Sequence, residues 1–288
     1  MGFSYLRPMQ KQPKIWFITG VSGGLGLALM QEVLKTGDFV IGTVRKEHQL
    51  QSVRELHPAN AKAILLDVTD FKGAKDAVAS VIRDFGRIDV LVNNAGFGVF
   101  GAIEELTLEE CRVQMETNVF GVIHLTQCVL PFMRKQKSGA IVQLSSIAGI
   151  RAAAGLGIYN ASKFALEGLS EALYHELLPL NIKVLLVEPG PFRTEFAGTS
   201  AMEARTVIED YDSTAGAFRR LMHERNGTQI GDPVKGSQAI IKALHAEVTP
   251  LRLPLGRIAM EGMLAKMDWV KKEITAWETT IVDTDIAE

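Results

Sequence analysis

Six short runs of apolar residues, unbroken rather than alternating, constrain this 288-residue chain more than any other feature. They fall at residues 15–19, 39–44, 63–66, 90–92, 140–144 and 183–187. Between them lie segments of helical periodicity, clearest at 25–35, 74–85, 108–133 and 164–178. A strand that is apolar on both faces has to be covered on both faces, which is the pattern of a parallel sheet. Parallel neighbours need crossover connections, and the intervening helices supply them. The expected class is therefore α/β, a doubly wound parallel sheet with helices on both faces. No repeat, low-complexity stretch or linker divides the chain, so residues 1–288 are read as a single domain. After Pro189-Gly190 the pattern changes: residues 191–230 are mixed and polar, with a helix expected over 201–224. A helix over 233–246, a last strand within 250–256 and an amphipathic helix over 258–281 complete the reading.

Composition narrows the function classes. Hydrophobic residues make up 47% of the chain, enough for a large core. The formal net charge is −2 with no basic excess, which argues against nucleic acid as a partner. Cys111 and Cys128 suggest neither a disulfide framework nor a zinc site. The six histidines form no ligand cluster, so no metal is expected. No window approaches about 18 uninterrupted apolar residues, and the first fourteen residues lack a signal-like apolar run. The expectation is a cytoplasmic protein that makes no membrane contact.

Two motifs carry chemistry. Thr19-Gly20-Val21-Ser22-Gly23-Gly24-Leu25-Gly26 follows the first strand and opens the first helix. Glycines there permit a tight turn and close approach of backbone to phosphate, and a helix N-terminus adds N–H donors. Further on, Ser146 precedes Tyr159 by 13 positions and Tyr159 precedes Lys163 by four. Four residues apart on a helix is the same face, so an ammonium stands near a phenol and should lower its pKa. Such a phenol exchanges a proton with a carbonyl oxygen, which a serine hydroxyl can hold.

Together these motifs resemble the short-chain dehydrogenase/reductase family, in its single-domain branch, over most of residues 14–200. Thr19, Gly20, Gly24 and Gly26 match the family's cofactor turn, with Ser22 and Leu25 beside them. Asp67, followed by Val68, matches the acid that meets the adenine, and Asn94-Ala95-Gly96, after Asn93, matches the fourth-strand motif. Asn118, Ser146, Tyr159 and Lys163 match the catalytic set. Counting favours Ser146 over its neighbour Ser145, which gives a spacing of 14. Pro189, Gly190 and Thr194 match the segment against the nicotinamide. Phe192 departs from the usual Ile or Val and puts the pocket shape in doubt. The resemblance implies a Rossmann-type fold, with a cofactor-binding and catalytic core at 14–190 and a helical substrate lid and extension at 191–288. It implies that Lys163 also binds the nicotinamide ribose and that Asn118 ties Lys163 to a proton path. Cofactor-contacting residues would include Tyr159, Lys163 and Phe192.

The second strand ends Thr43-Val44-Arg45, with no acid where NAD-preferring enzymes place one. A guanidinium suits a 2′-phosphate, so Arg45 argues for NADP(H) over NAD(H). The implied activity is hydride transfer between nicotinamide and a mainly apolar carbonyl or secondary alcohol. Phe97, Phe192, Phe196 and Met202 are expected around that substrate, and a dimer or tetramer of the chain is the expected assembly. The alternative is a non-catalytic NADP-binding sensor or regulator, which would have no need of Ser146, Tyr159 and Lys163 together. A dehydratase or epimerase of a related branch would carry a different glycine spacing or a larger substrate region.

Overall fold

The computed structural model describes residues 12–198 and 201–286. The expected single domain and lid extend over residues 1–11, 199–200 and 287–288 as well, which lie outside the described residues. The first half alternates β1 (Ile15–Ile18), α1 (Gly24–Lys35), β2 (Phe39–Val44), α2 (His48–Glu55), β3 (Ala61–Leu65), α3 (Phe71–Phe85) and β4 (Val90–Asn93). A short strand β5 (Gly98–Phe100) precedes α4 (Leu108–Met115) and α5 (Gly121–Gln136), which join through a π-helical turn, Glu116–Phe120. Then come β6 (Gly139–Leu144), α6 (Gly157–Leu177), β7 (Ile182–Pro189) and β8 (Ala201–Glu203). The remainder is α7 (Ala217–Glu224), α8 (Pro233–His245), β9 (Arg252–Leu255), α9 (Arg257–Ala276) and α10 (Glu278–Val282).

Seven strands form one parallel sheet in the order β3-β2-β1-β4-β6-β7-β9. Unbroken apolar strands require cover on both sides, and two separate cores provide it. One packs Leu29, Met30 and Val33 of α1 and Ile240 and Leu244 of α8 on one face. The other packs Val78 and Val81 of α3, Val129 and Met133 of α5 and Leu173 of α6 on the opposite face. Local signals fix the helix starts: Thr107 and Glu110 form a capping box on α4, and Asp232 caps α8 ahead of Pro233. β1 pairs with both β2 and β4, so successive strands run outward from it in opposite directions. At such a switch point the C-terminal strand ends leave a crevice, the usual ligand position in this architecture.

Two expectations are corrected. The helix expected over 201–224 is broken up: β8 pairs with β5, then a 3₁₀ turn (Glu209–Tyr211) and a π-helical turn (Asp212–Gly216) lead into the shorter α7. Cross-strand pairing of Ala201–Glu203 with Gly98–Phe100 competes successfully with local helix propensity. The helix expected over 108–133 runs on to Gln136 but is interrupted by the π-helical turn that carries Asn118. No described helix is long and apolar enough to cross a membrane.

Candidate active site

The glycine turn between β1 and α1 is tight for steric reasons. Gly20 and Gly24 have φ of 70° and 58°, a region that glycine alone enters cheaply. A Cβ on Gly26 would lie 2.4 Å from the Gly20 carbonyl oxygen, and one on Gly24 would meet Thr194 at 3.4 Å. Asn94 locks the turn: its Nδ2 donates to Thr19 O at 2.8 Å and to Gly20 O at 3.0 Å. The Thr19 hydroxyl accepts from the backbone N–H groups of Asn94 and Ala95, both at 2.9 Å. Gly23 caps α1 without a side-chain acceptor, leaving the helix's first N–H groups to a ligand. Ser22 is exposed in the turn, and Leu25 packs inward against the core. Arg45, at the end of β2, is exposed, and no hydrogen bond or ion pair holds it among the described residues. Asp67 follows β3 and is fixed by the Thr69 hydroxyl at 2.7 Å, while Val68 is buried under Gly121. A bare glycine cradle and a helix N-terminus without a side-chain cap fit the phosphates of a dinucleotide.

Ser146, Tyr159 and Lys163 come together from two elements. Ser146 ends the segment after β6, where its Oγ accepts from Ala148 N at 3.1 Å. Tyr159 and Lys163 lie in the first two turns of α6, both buried, with Lys163 Nζ 5.8 Å from the phenol ring centre. Ser145 turns away, its Oγ lying against Gly149 on the side of Glu167. The charge balance differs from the sequence expectation. Burial pushes Tyr159 up to about 12, and only the Ser146 hydroxyl acts the other way. Burial pushes Lys163 down to about 8, against the attraction of Glu167 one turn along. Lys163 Nζ donates to Leu144 O at 2.6 Å instead of reaching the phenol. Desolvation therefore outweighs the pairing that the helix spacing suggested.

Asn118 is buried on the π-helical turn. Its amide clasps the backbone of Phe97, accepting from N at 3.2 Å and donating to O at 3.0 Å, and Nδ2 also donates to Ser162 Oγ at 3.1 Å. Gly96 separates it from Lys163: a Cβ there would lie 3.1 Å from Asn118 Oδ1 and 3.8 Å from Lys163 Nζ. A π-helical turn is a common device for aiming one side chain inward. Pro189 ends β7, and Gly190 N donates to Leu255 O at 3.0 Å.

Of the four residues expected around a substrate, Phe196 lies over Tyr159 with ring centres 5.2 Å apart. Phe97 is buried, clasped by Asn118 and Gln114. Met202 lies on β8, exposed. Phe192 is displaced from that wall: its ring fills the space left by Gly231 and Gly236 and packs with the α1–α8 core. Phe100 and Phe218 extend the aromatic wall behind Phe196. Behind Lys163, Arg252 of β9 bridges Glu167, Glu171 and Glu188. The sequence reading missed this cluster, although the Lys163–Glu167 spacing of four was a visible signal.

The profile of a family described as short chain dehydrogenase matches residues 14–204. The chain is 41% identical over 249 residues to Oxidoreductase BOA17 of Botryotinia fuckeliana, covering 86% of this chain and 90% of that protein. It is 38% identical over 265 residues to a 3-ketodihydrosphingosine reductase of Bacteroides thetaiotaomicron, covering 90% and 94%. A solved short-chain dehydrogenase from Streptomyces avermitilis superimposes with a TM-score of 0.91 at 42% identity, over 96% of this chain and all of that one (100%).

Proposed function

The chain belongs to the short-chain dehydrogenase/reductase family of oxidoreductases, and on that ground we propose that it interconverts a mainly apolar carbonyl and its secondary alcohol with NADP(H). The observation that carries the reading is the buried phenol of Tyr159, flanked by Ser146 and Lys163 beside the glycine cradle. When bound, the nicotinamide supplies or accepts the hydride. Thr19, Gly20, Ser22, Gly24, Leu25 and Gly26 would hold the pyrophosphate end, with Asp67 and Val68 at the adenine. Asn94, Ala95, Gly96, Lys163, Pro189, Gly190, Phe192 and Thr194 would form the nicotinamide end. Phe192 would act there through its backbone, since its ring is turned into the core.

With its pKa raised, Tyr159 stays protonated at neutral pH and is a donor to a carbonyl oxygen that gains charge. Ser146 holds that oxygen with its hydroxyl. Lys163, protonated below about 8, opposes the negative charge left on Tyr159 after transfer. Asn118 acts at one remove, fixing the Gly96–Phe97 backbone and Ser162 so that Lys163 keeps its place. The aromatic wall of Phe196, Phe100 and Phe218 excludes water and favours an apolar substrate arm. The Bacteroides relative, a 3-ketodihydrosphingosine reductase, supports a ketone as the substrate. Arg45 supports the 2′-phosphate cofactor, and the free thiols Cys111 and Cys128 support a reducing, cytoplasmic setting.

The test is NADPH oxidation over a panel of apolar ketones, followed at the reduced-nicotinamide band, with Tyr159→Phe alongside. The variant should lose about a hundred- to ten-thousand-fold in kcat and still bind NADPH normally. NADPH binding without turnover of any carbonyl in the wild type would favour the sensor reading instead.

A further inference from the structure

Lys163 is a buried cation with little to hold its charge. Its Nζ donates to Leu144 O at 2.6 Å, and the residue is 7% exposed. An ammonium has three donors, and one carbonyl offsets only part of what its burial costs. Burial by itself favours the neutral amine, and Glu167, one turn along α6, opposes it. The surroundings offer no other anion on that side. β5 and the 3₁₀ turns Ile147–Gly149 and Leu178–Leu180, which pack on α6, carry no charged residue. Glu116 of the π-helical turn and Glu109 of α4 are exposed, and Glu110 is bound to Thr107. β7 and β9 bring Glu188 and Arg252 to the Glu167 end, and Glu171 lies a further turn along α6, exposed.

Glu167 is buried in its turn, at 5% exposed. Burial raises it above the usual carboxylate range, and Ser145, Arg252 and Lys163 draw it back. Arg252 Nη1 binds its Oε2 and lies 3.1 Å from Glu188 Oε1, while Nη2 reaches Glu171 at 2.7 Å. A guanidinium keeps its charge at any working pH, so it holds Glu167 as a carboxylate. The second oxygen, Glu167 Oε1, has no hydrogen-bond partner. It lies with Ser145 Oγ over bare backbone at Gly149, where a Cβ would stand 3.1 Å from the one and 2.8 Å from the other. A tie between α6 and β9 needs only the exposed Glu171. A second, buried acid carries a desolvation cost that such a tie does not explain, and a cation four residues back does.

We propose, resting on the reading of Lys163 as the group that answers the Tyr159 phenolate, that Glu167 is a positioning residue for the reaction: fixed by Arg252, its carboxylate keeps Lys163 in the ammonium form.

NMR titration of the full chain with ¹³Cε-labelled lysine tests it without any carbonyl, Lys163→Met identifying the signal. The wild-type midpoint should lie near 8. Glu167→Gln, which can still accept from Arg252, should lower it by about one pH unit. Glu167→Met, similar in volume, should shift it the same way, and Glu167→Asp, which keeps the charge, should bring it most of the way back. In NADPH-dependent reduction the alkaline fall of kcat/KM should move down with the midpoint. Glu167→Gln should then stay within about twofold of wild type at pH 6 and lose about tenfold at pH 9. Glu171→Gln, which loosens the same arginine, should change neither. A midpoint unmoved in Glu167→Gln while Tm falls makes Glu167 a tie between α6 and β9 and overturns the proposal. A midpoint that rises, a loss of rate equal at every pH, or a fall in rate that stays near 8 while the midpoint moves overturns it too. A midpoint that moves down in a protein that reduces no carbonyl upholds the hold of Glu167 on Lys163 and fails the oxidoreductase reading instead.

Discussion

Tyr159 is raised to about 12 and Lys163 lowered to about 8 by the same burial, so the two groups titrate in an order that favours proton donation at neutral pH. The reductive kcat/KM should therefore hold steady from pH 6 to 7.5 and fall as Lys163 loses its proton near 8. Below that value the ammonium stabilises the phenolate formed in the step; above it, a neutral amine cannot. The oxidative direction needs Tyr159 to accept a proton and should instead gain with rising pH. A pH–rate profile in both directions checks this, and a reductive rate unchanged up to pH 10 would remove Lys163 from the step. Arg45 is the second test at this scale. Arg45→Ala should weaken NADPH by about 1.5–3 kcal/mol, roughly one to two decades in Kd, and leave NADH alone. Equal losses for both cofactors in titration calorimetry would mean that the guanidinium does not meet a 2′-phosphate.

Between elements, the junction of α6, β7 and β9 is built on charge. Arg252 Nη1 lies 3.1 Å from Glu188 and Nη2 2.7 Å from Glu171, and Nη1 also bonds Glu167. Burial, then the neighbouring Glu167, raises Glu188 to about 7, and its Oε2 has no hydrogen-bond partner. Removing Arg252 leaves two buried carboxyl groups facing each other. Arg252→Met should cost about 3–5 kcal/mol in chemical denaturation. Glu188→Gln should return part of that loss. In the wild-type background its effect should depend on pH. A carboxyl whose folded pKa is raised costs stability above about 7, where it must ionise, and costs nothing below the unfolded value. Glu188→Gln should therefore raise Tm at pH 8 and leave it nearly unchanged at pH 4. A larger gain at pH 4 would reverse the assignment.

At the scale of the whole molecule, a parallel sheet carries the crevice, and a less regular segment places Phe196 against Tyr159 beside it. Residues 201–224 hold a short strand, two turns and the shorter α7 in place of the expected helix. They are fastened by the pairing of β8 with β5 and at Glu105, buried, which binds Arg219 and accepts from Ile208 N at 2.9 Å. Built of short, irregular elements, this segment should exchange amide hydrogens faster than β1, β4 and β6, and gain protection with NADP(H) and a substrate analogue. Uniform slow exchange in the free protein would make the specificity wall a fixed one. The sheet was legible in the chain because unbroken apolar runs admit few partners other than parallel strands with helices on both faces. The glycine turn and the Ser146, Tyr159 and Lys163 spacing were legible because steric and helical rules act over a few residues. The rest required tertiary contacts. Phe192 could be placed only once Gly231 and Gly236, some forty residues on, opened a space for its ring. Pairing of 201–203 with β5 lay beyond any local propensity. The pKa values of Tyr159 and Lys163 turned on desolvation, which depends on everything packed around them and is invisible in a spacing of four.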